Sequence, residues 1–349
     1  MADCPDLADR PGRHDRHDRH EVADGAGDPG GPGDPGGPEV PASPVRALFT
    51  SRSCAGAWQV RGEQVAALRA NWRAVPRPAE ADLAACDLVC VVKRPDLQVV
   101  ERARALGKAV VFDIVDSWAQ PADGLRHAGV AAARALFAPA WRALGADGYI
   151  FPTQRMAQDL GDLVRQGVVI HHHHRPGIAR NPVRERVATV GYEGADYLGE
   201  WRGRLEAACA ARGLRFVTNP ARYTDLDIVV LARGGEHASF LARSYKSNIK
   251  LANAYGSGTP ALVHAGELSA QETDCGDVLF FTDAPGSLER QLDRLCASHA
   301  LRLAIHRRFL AAAVRFRPAR IAGAFEAFFL HLLRERADRH ADRPAGLRA

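Results

Sequence analysis

From about residue 45 onward, short apolar runs alternate with stretches whose apolar positions recur at helical spacing. The runs 45–49, 88–92, 109–115, 148–151 and 168–170 read as buried strands, with helices expected over 58–70, 97–106, about 125–144 and 155–165. Strands alternating with helices predict a parallel sheet covered on both faces. A second series gives strands at 187–190, 215–218, 228–231, 261–264 and 278–281 and helices at 197–212, 247–255 and 287–297.

The pattern therefore predicts two α/β halves in tandem, 44–170 and 187–299, joined by a Pro- and His-containing linker, 171–186. Residues 300–337 carry two long amphipathic helical patterns broken at "RFRPAR", where Pro318 is expected to end the first. A polar tail, 338–349, follows. At the other end, 1–43 combines "RHDRHDRH" with "GDPGGPGDPGGPE" and almost no large apolar residues, a composition expected to be disordered because it cannot offset its ordering entropy.

Composition changes this picture little. A chain of 349 residues accommodates two domains, and 46% hydrophobic with 25% charged residues is ordinary for a globular protein. No apolar run reaches the ~20 residues of a membrane helix, so no transmembrane segment is expected and only peripheral membrane contact is left open. The formal net charge of +5 is too diffuse to argue for nucleic acid, although acidic partners such as phosphates fit it. Seven cysteines, odd in number and without a CxxC pair, suggest neither a zinc site nor a disulfide framework. Without a secretory pattern at the start, reduced thiols and a cytoplasmic location are expected.

In open parallel sheets, ligands bind beyond the carboxyl ends of the strands. That rule selects 51–56, Lys93 and Arg94, Asp113 and Asp116, 153–155, 191–194, 233–235 and the stretch "YKSNIKLANAYGSGTPALVH", 245–264. The chain has only four lysines, and Lys246 and Lys250 flank the start of one predicted helix. Ser247 and Asn248 suit its N-cap, from which free N–H groups and the positive dipole end would meet a phosphate. Lys250, unfavourable in a first helical turn, becomes favourable once an anion binds there; solvated surface lysines are the plain alternative. Gly256 or Gly258 is expected to end this helix before Pro260. Glu272 and Thr273 are expected early in a short following helix, placed to meet the same ligand.

"KLANAYGSGTPALV", followed by "ETDCGDVLFF" and "SLERQLDRL", resembles the donor-binding half of bacterial GT-B glycosyltransferases of the group 1, family 4-like kind. The motif likeness spans about 245–295 and the two-half architecture about 45–335. The resemblance implies two Rossmann-like domains facing a cleft, with C-terminal helices crossing back. It also implies a nucleotide-sugar donor, an acceptor not named by the sequence, and no metal or other cofactor. Carried over by position, Lys250 contacts donor phosphate or ribose, and Asn253 stands where the family has a ribose-binding glutamate. Tyr245 takes the place of the first glutamate of the paired motif, and Tyr192 that of an arginine after the first strand of the second half. Arg233 is the expected substitute charge.

On the acceptor side the resemblance points to "CAGAWQVRGEQVAALRA", with Trp58 to stack on a sugar and Arg61 and Glu63 to bind hydroxyls or charge; ordinary helix packing is the alternative for Trp58. Asp113, Asp116 and His127 are the candidates for a base, Asp116 foremost, with capping of the next turn as the other reading of the aspartates. "VVIHHHHRPG" leaves a strand, so at most two of its histidines share a face. In the resembled fold it enters the linker and lines the cleft, where one of His172 and His174 would reach a phosphate; packing of the linker is the other reading.

Two further readings stay open: a nucleotide-sugar epimerase on the same fold, and a degenerate GT-B protein that binds a nucleotide-sugar or a partner without turnover. A dehydrogenase is disfavoured because no G-x-G-x-x-G follows an early strand, and the P-loop pattern G-x-x-x-x-G-K-[ST] is absent. Oligomeric state is not legible.

Overall fold

The structure, a computed structural model, describes residues 40–341 except 55, 117–128 and 196. The low-complexity segment up to residue 39 and His127 lie outside the described residues.

The first half runs β1 (Ala47–Thr50), α1 (Gly56–Trp58), α2 (Gln64–Ala66), β2 (Arg73–Ala74), α3 (Glu80–Ala84), β3 (Leu88–Val92), α4 (Leu97–Ala105), β4 (Ala109–Asp113), α5 (Val130–Leu144), β5 (Gly148–Phe151), α6 (Gln154–Leu160) and β6 (Gly167–Val169). Its strands form one parallel sheet in the order β2-β1-β3-β4-β5-β6. Side chains alternate between two cores. Leu88, Cys90 and Val92 pack on one face, Val89 and Val91 on the other, as a doubly covered parallel strand requires.

The second half runs β7 (Thr189–Tyr192), α7 (Trp201–Ala210), β8 (Arg215–Thr218), β9 (Ile228–Leu231), α8 (Phe240–Tyr245), α9 (Ile249–Ser257), β10 (Ala261–His264), α10 (Leu268–Thr273), β11 (Leu279–Phe281) and α11 (Ser287–Ala297). Its parallel sheet has the order β11-β10-β9-β7-β8. Gly258, at φ 69°, closes α9, and Pro260 directs the chain into β10.

Two long helices complete the chain, α12 (His299–Ala312) and α13 (Pro318–Ala341). Pro318 opens the second rather than ending the first; a short 3₁₀ turn, Ala313–Phe316, does that. The first position of a helix needs no N–H and suits the fixed φ of proline. α13 extends four residues past the expected boundary of 337 and returns to the first half. Its Phe325, Phe328, Phe329 and Leu332 cover one face of the first sheet, so closely that a Cβ at Gly148 would stand 2.5 Å from Leu332.

Candidate functional site

In the second sheet the strand order reverses between β7 and β9, the place where an open parallel sheet leaves a crevice. Arg233 from the end of β9, Ser247, Asn248 and Lys250 from the start of α9, and Glu267 and Ser269 beside α10 line it.

Lys250 is half-buried, its Nζ 3.9 Å from the centre of the Tyr192 ring. Burial, then the neighbouring Arg233, push its ammonium well below the usual lysine range, against the opposing pull of Glu193. No carboxylate lies within ion-pair distance of it among the described residues. Tyr192, at the arginine position of the resembled motif, thus offers the lysine a π face. Arg233 pairs with Glu267, and burial lowers the guanidinium pKa. Arg233 Nε and Glu267 Oε1 still lack hydrogen-bond partners within the protein.

Asn248 occupies the N-cap position of α9, but its side chain makes no capping bond. Its Oδ1 instead accepts the main-chain N–H of His172 at 3.0 Å. The expected cap is therefore a tether between helix and linker, and the first N–H groups of α9 are left to the crevice. Asn253 is 1% exposed, and its Nδ2 donates to both carboxylate oxygens of Glu193 at 3.1 and 3.3 Å. Its Oδ1 accepts the Arg175 N–H at 2.8 Å. Glu193 also accepts from the Tyr223 hydroxyl and pairs with Arg175. A carboxylate absent from the helix thus arrives from the turn after β7. The stretch 191–194 contained it, but a single acidic residue in a Gly-rich turn gave no reason to single it out.

The two halves meet at Asp116. Its Oδ2 accepts Lys93 Nζ at 2.9 Å from its own half and Lys246 Nζ at 3.2 Å from the other. Burial alone would raise this carboxyl, but Lys246 and Lys93 together hold it far below the usual aspartate range. An aspartate so stabilised as an anion is a poor proton acceptor, which weighs against its expected role as a base. It remains a strong hydrogen-bond acceptor through Oδ1, which has no partner within the protein. Lys93 and Val115 hold positive φ of 58° and 64°, conformations that non-glycine residues adopt at a cost.

Glu272 and Thr273 lie at the end of α10, not early in it, and neither lines the crevice. Glu272 caps α6 of the first half, accepting the main-chain N–H groups of Gln154 and Arg155, with His171 Nε2 at 3.6 Å. Thr273 is fully buried and donates to the Ser269 carbonyl at 2.8 Å. Tyr245, at the first motif-glutamate position, packs into the core of the first half and donates to Asp159 at 2.9 Å.

The expected acceptor side is corrected. Trp58 is 2% exposed in the core, its Nε1 donating to Glu63 at 2.9 Å, so helix packing is its role. Arg61 is fully buried against Asp113 and cannot reach a ligand. The pair removes Asp113 as a base as well. Of the linker histidines, His173 is fully buried and His174 contacts the Arg175 carbonyl, whereas His172 sits beside Asn248 at the seam. Among the described residues no group of three or more histidines, cysteines or carboxylates is placed to hold a metal, and no helix is long and apolar enough to cross a membrane.

No protein-family model matches the chain, and no curated protein matches its sequence. Solved structures do match its fold. Sucrose-phosphate synthase from Thermosynechococcus elongatus superimposes with a TM-score of 0.54 at 12% identity over 83% of this chain and 100% of that one. WaaG, a glycosyltransferase involved in lipopolysaccharide biosynthesis, gives 0.53 at 12% identity over 80% and 98%. Anabaena HepE, solved in complex with UDP-glucose, gives 0.52 at 14% identity over 82% and 99%. With its two Rossmann-like parallel sheets and a C-terminal helix returning to the first, the chain has the GT-B glycosyltransferase fold.

Proposed function

We propose that the protein is a glycosyltransferase that takes a sugar from a nucleotide-diphosphate donor and passes it to an acceptor without a metal ion. The observation that carries this reading is Lys250: a half-buried cation with no carboxylate partner among the described residues, at the start of α9 and beside Arg233. Burying a charge without a partner is costly, and a diphosphate would repay that cost through both the ammonium and the free N–H groups of the helix. The same groups would stabilise the leaving diphosphate as the sugar–phosphate bond breaks. Glu193 and Asn253, joined in one network, would take ribose hydroxyls.

Titration calorimetry with UDP, GDP, TDP and ADP tests this reading, first on the unmodified protein and then on Lys250→Ala. Binding of one nucleotide, much weakened in the variant, supports it. Failure of all four to bind a folded protein would overturn it. A non-catalytic binder is the second reading, favoured by the low proton affinity of Asp116 and the absence of a glutamate at position 253. Donor binding without turnover across an acceptor panel would select it.

A further inference from the structure

Three side chains at the seam between the halves share an unusual property. Asp116, His172 and Asn248 are 7%, 3% and 3% exposed, yet each has one buried polar atom with no partner in the protein: Oδ1, Nδ1 and Nδ2 respectively. Leaving such an atom unmade costs about 1–3 kcal/mol, and folded proteins rarely do so without a functional reason.

For Asp116 and Asn248 the unpartnered atom is set by what the other end of the side chain does, and His172 is held through its main chain. Asp116 gives Oδ2 to Lys93 and Lys246, which leaves Oδ1. Asn248 gives Oδ1 to the His172 N–H, so Nδ2 is the free end. That same bond anchors His172 to the start of α9. The His172 imidazole is close enough to feel the Asp116 charge, but burial and then Arg61 keep it neutral.

The set therefore offers an anionic acceptor, an amide donor and a neutral imidazole. Phosphate oxygens only accept, and a carboxylate oxygen would repel them. A hydroxyl both donates and accepts, so it can give its proton to Asp116 while accepting from Asn248. Resting on the donor reading above, we infer that His172, with Asp116 and Asn248, forms a hydroxyl-binding subsite for the sugar, beside the phosphate-holding lysine. His172 is then a specificity-determining residue drawn from the linker, which neither half possesses alone. The expectation that it reaches a phosphate is replaced by a neutral partner.

The test is NMR of the full chain carrying ¹⁵N-labelled histidine, with the His172 ring signal identified by its loss in His172→Asn. Three probes are compared: nucleoside diphosphates, the corresponding nucleotide-hexoses, and methyl hexosides free of any nucleotide. The hexose-bearing probes should move the His172 ring signal, and diphosphates alone should not. In calorimetry, His172→Phe should weaken the nucleotide-hexose about tenfold while changing the diphosphate by less than about twofold. His172→Asn, whose Oδ1 stands near the place of Nδ1, should recover most of the loss.

Equal weakening of both ligands in His172→Phe, or a His172 signal moved by diphosphate alone, would overturn the assignment. So would a ring signal unmoved by every hexose probe. Failure of all nucleoside diphosphates to bind would instead remove the donor reading, while the hexoside arm still decides this subsite.

Discussion

Arg61 and Asp113 form a two-pronged ion pair with no exposed side-chain surface, Nε to Oδ2 at 2.7 Å and Nη2 to Oδ1 at 3.2 Å. A third nitrogen of Arg61 donates to the His171 carbonyl at 3.0 Å, so the pair also fixes the start of the linker. Removing one partner strands the other as a buried charge. Arg61→Ala should lower the unfolding free energy by about 3–5 kcal/mol in urea titration, and an apolar pair at both positions should recover much of it. A loss well under 1 kcal/mol would contradict this account.

Asp116 makes acid stability measurable. Its folded pKa lies below the ordinary 3.8, so its contribution is fully present above that value and drains away as pH falls below it. Unfolding free energy followed from about pH 6 to about pH 3 should decline more steeply in the unmodified protein than in Asp116→Asn. Parallel curves would mean that the two lysines do not hold the carboxylate in solution.

Lys250→Ala should weaken binding of a nucleoside diphosphate by about 10- to 100-fold, as loss of a charged hydrogen bond worth about 1.5–3 kcal/mol implies. Lys108→Ala is the control. That lysine donates to the Ala84 and Cys86 carbonyls in the first half, away from the crevice, and its loss should leave the affinity unchanged.

Glu272→Ala should loosen the two halves. The substitution strips α6 of the carboxylate that accepts from Gln154 and Arg155, a capping loss of about 1–2 kcal/mol. Small-angle scattering should record a larger radius of gyration, with each sheet intact by circular dichroism. An unchanged radius would show that the other contacts, among them Lys246 with Asp116 and Tyr245 with Asp159, hold the halves together without it.

Strands were legible wherever burial on both sheet faces produced an uninterrupted apolar run. Leu88–Val92 and Ile228–Leu231 have the bounds that their composition implies. β2, only two residues long and edged by Arg73, carries no such run and went unread. α8 was missed because its apolar residues, Leu241 and Tyr245, face the other half of the molecule, a partner that local pattern does not reveal.

At the site, the prominence of Lys250 and Arg233 came through because cations are conspicuous where lysine is scarce. Glu272 and Arg61 were misassigned for one reason, while Trp58 took the packing role that was the other reading of it. Residue type announces chemical capacity, but not whether a distant backbone N–H, carboxylate or core has already used it.

The position of α13 has a consequence for synthesis. Translated after both sheets, it supplies Phe325, Phe328, Phe329 and Leu332 to the core of the earlier half. Domains usually fold in the order in which they emerge, yet here one apolar sheet face of the early half, partly covered by Trp58, Val65 and Trp72, is completed only when α13 arrives. A nascent chain stalled shortly after the linker should thus be a target for chaperones and proteases, and the later half should complete its fold sooner.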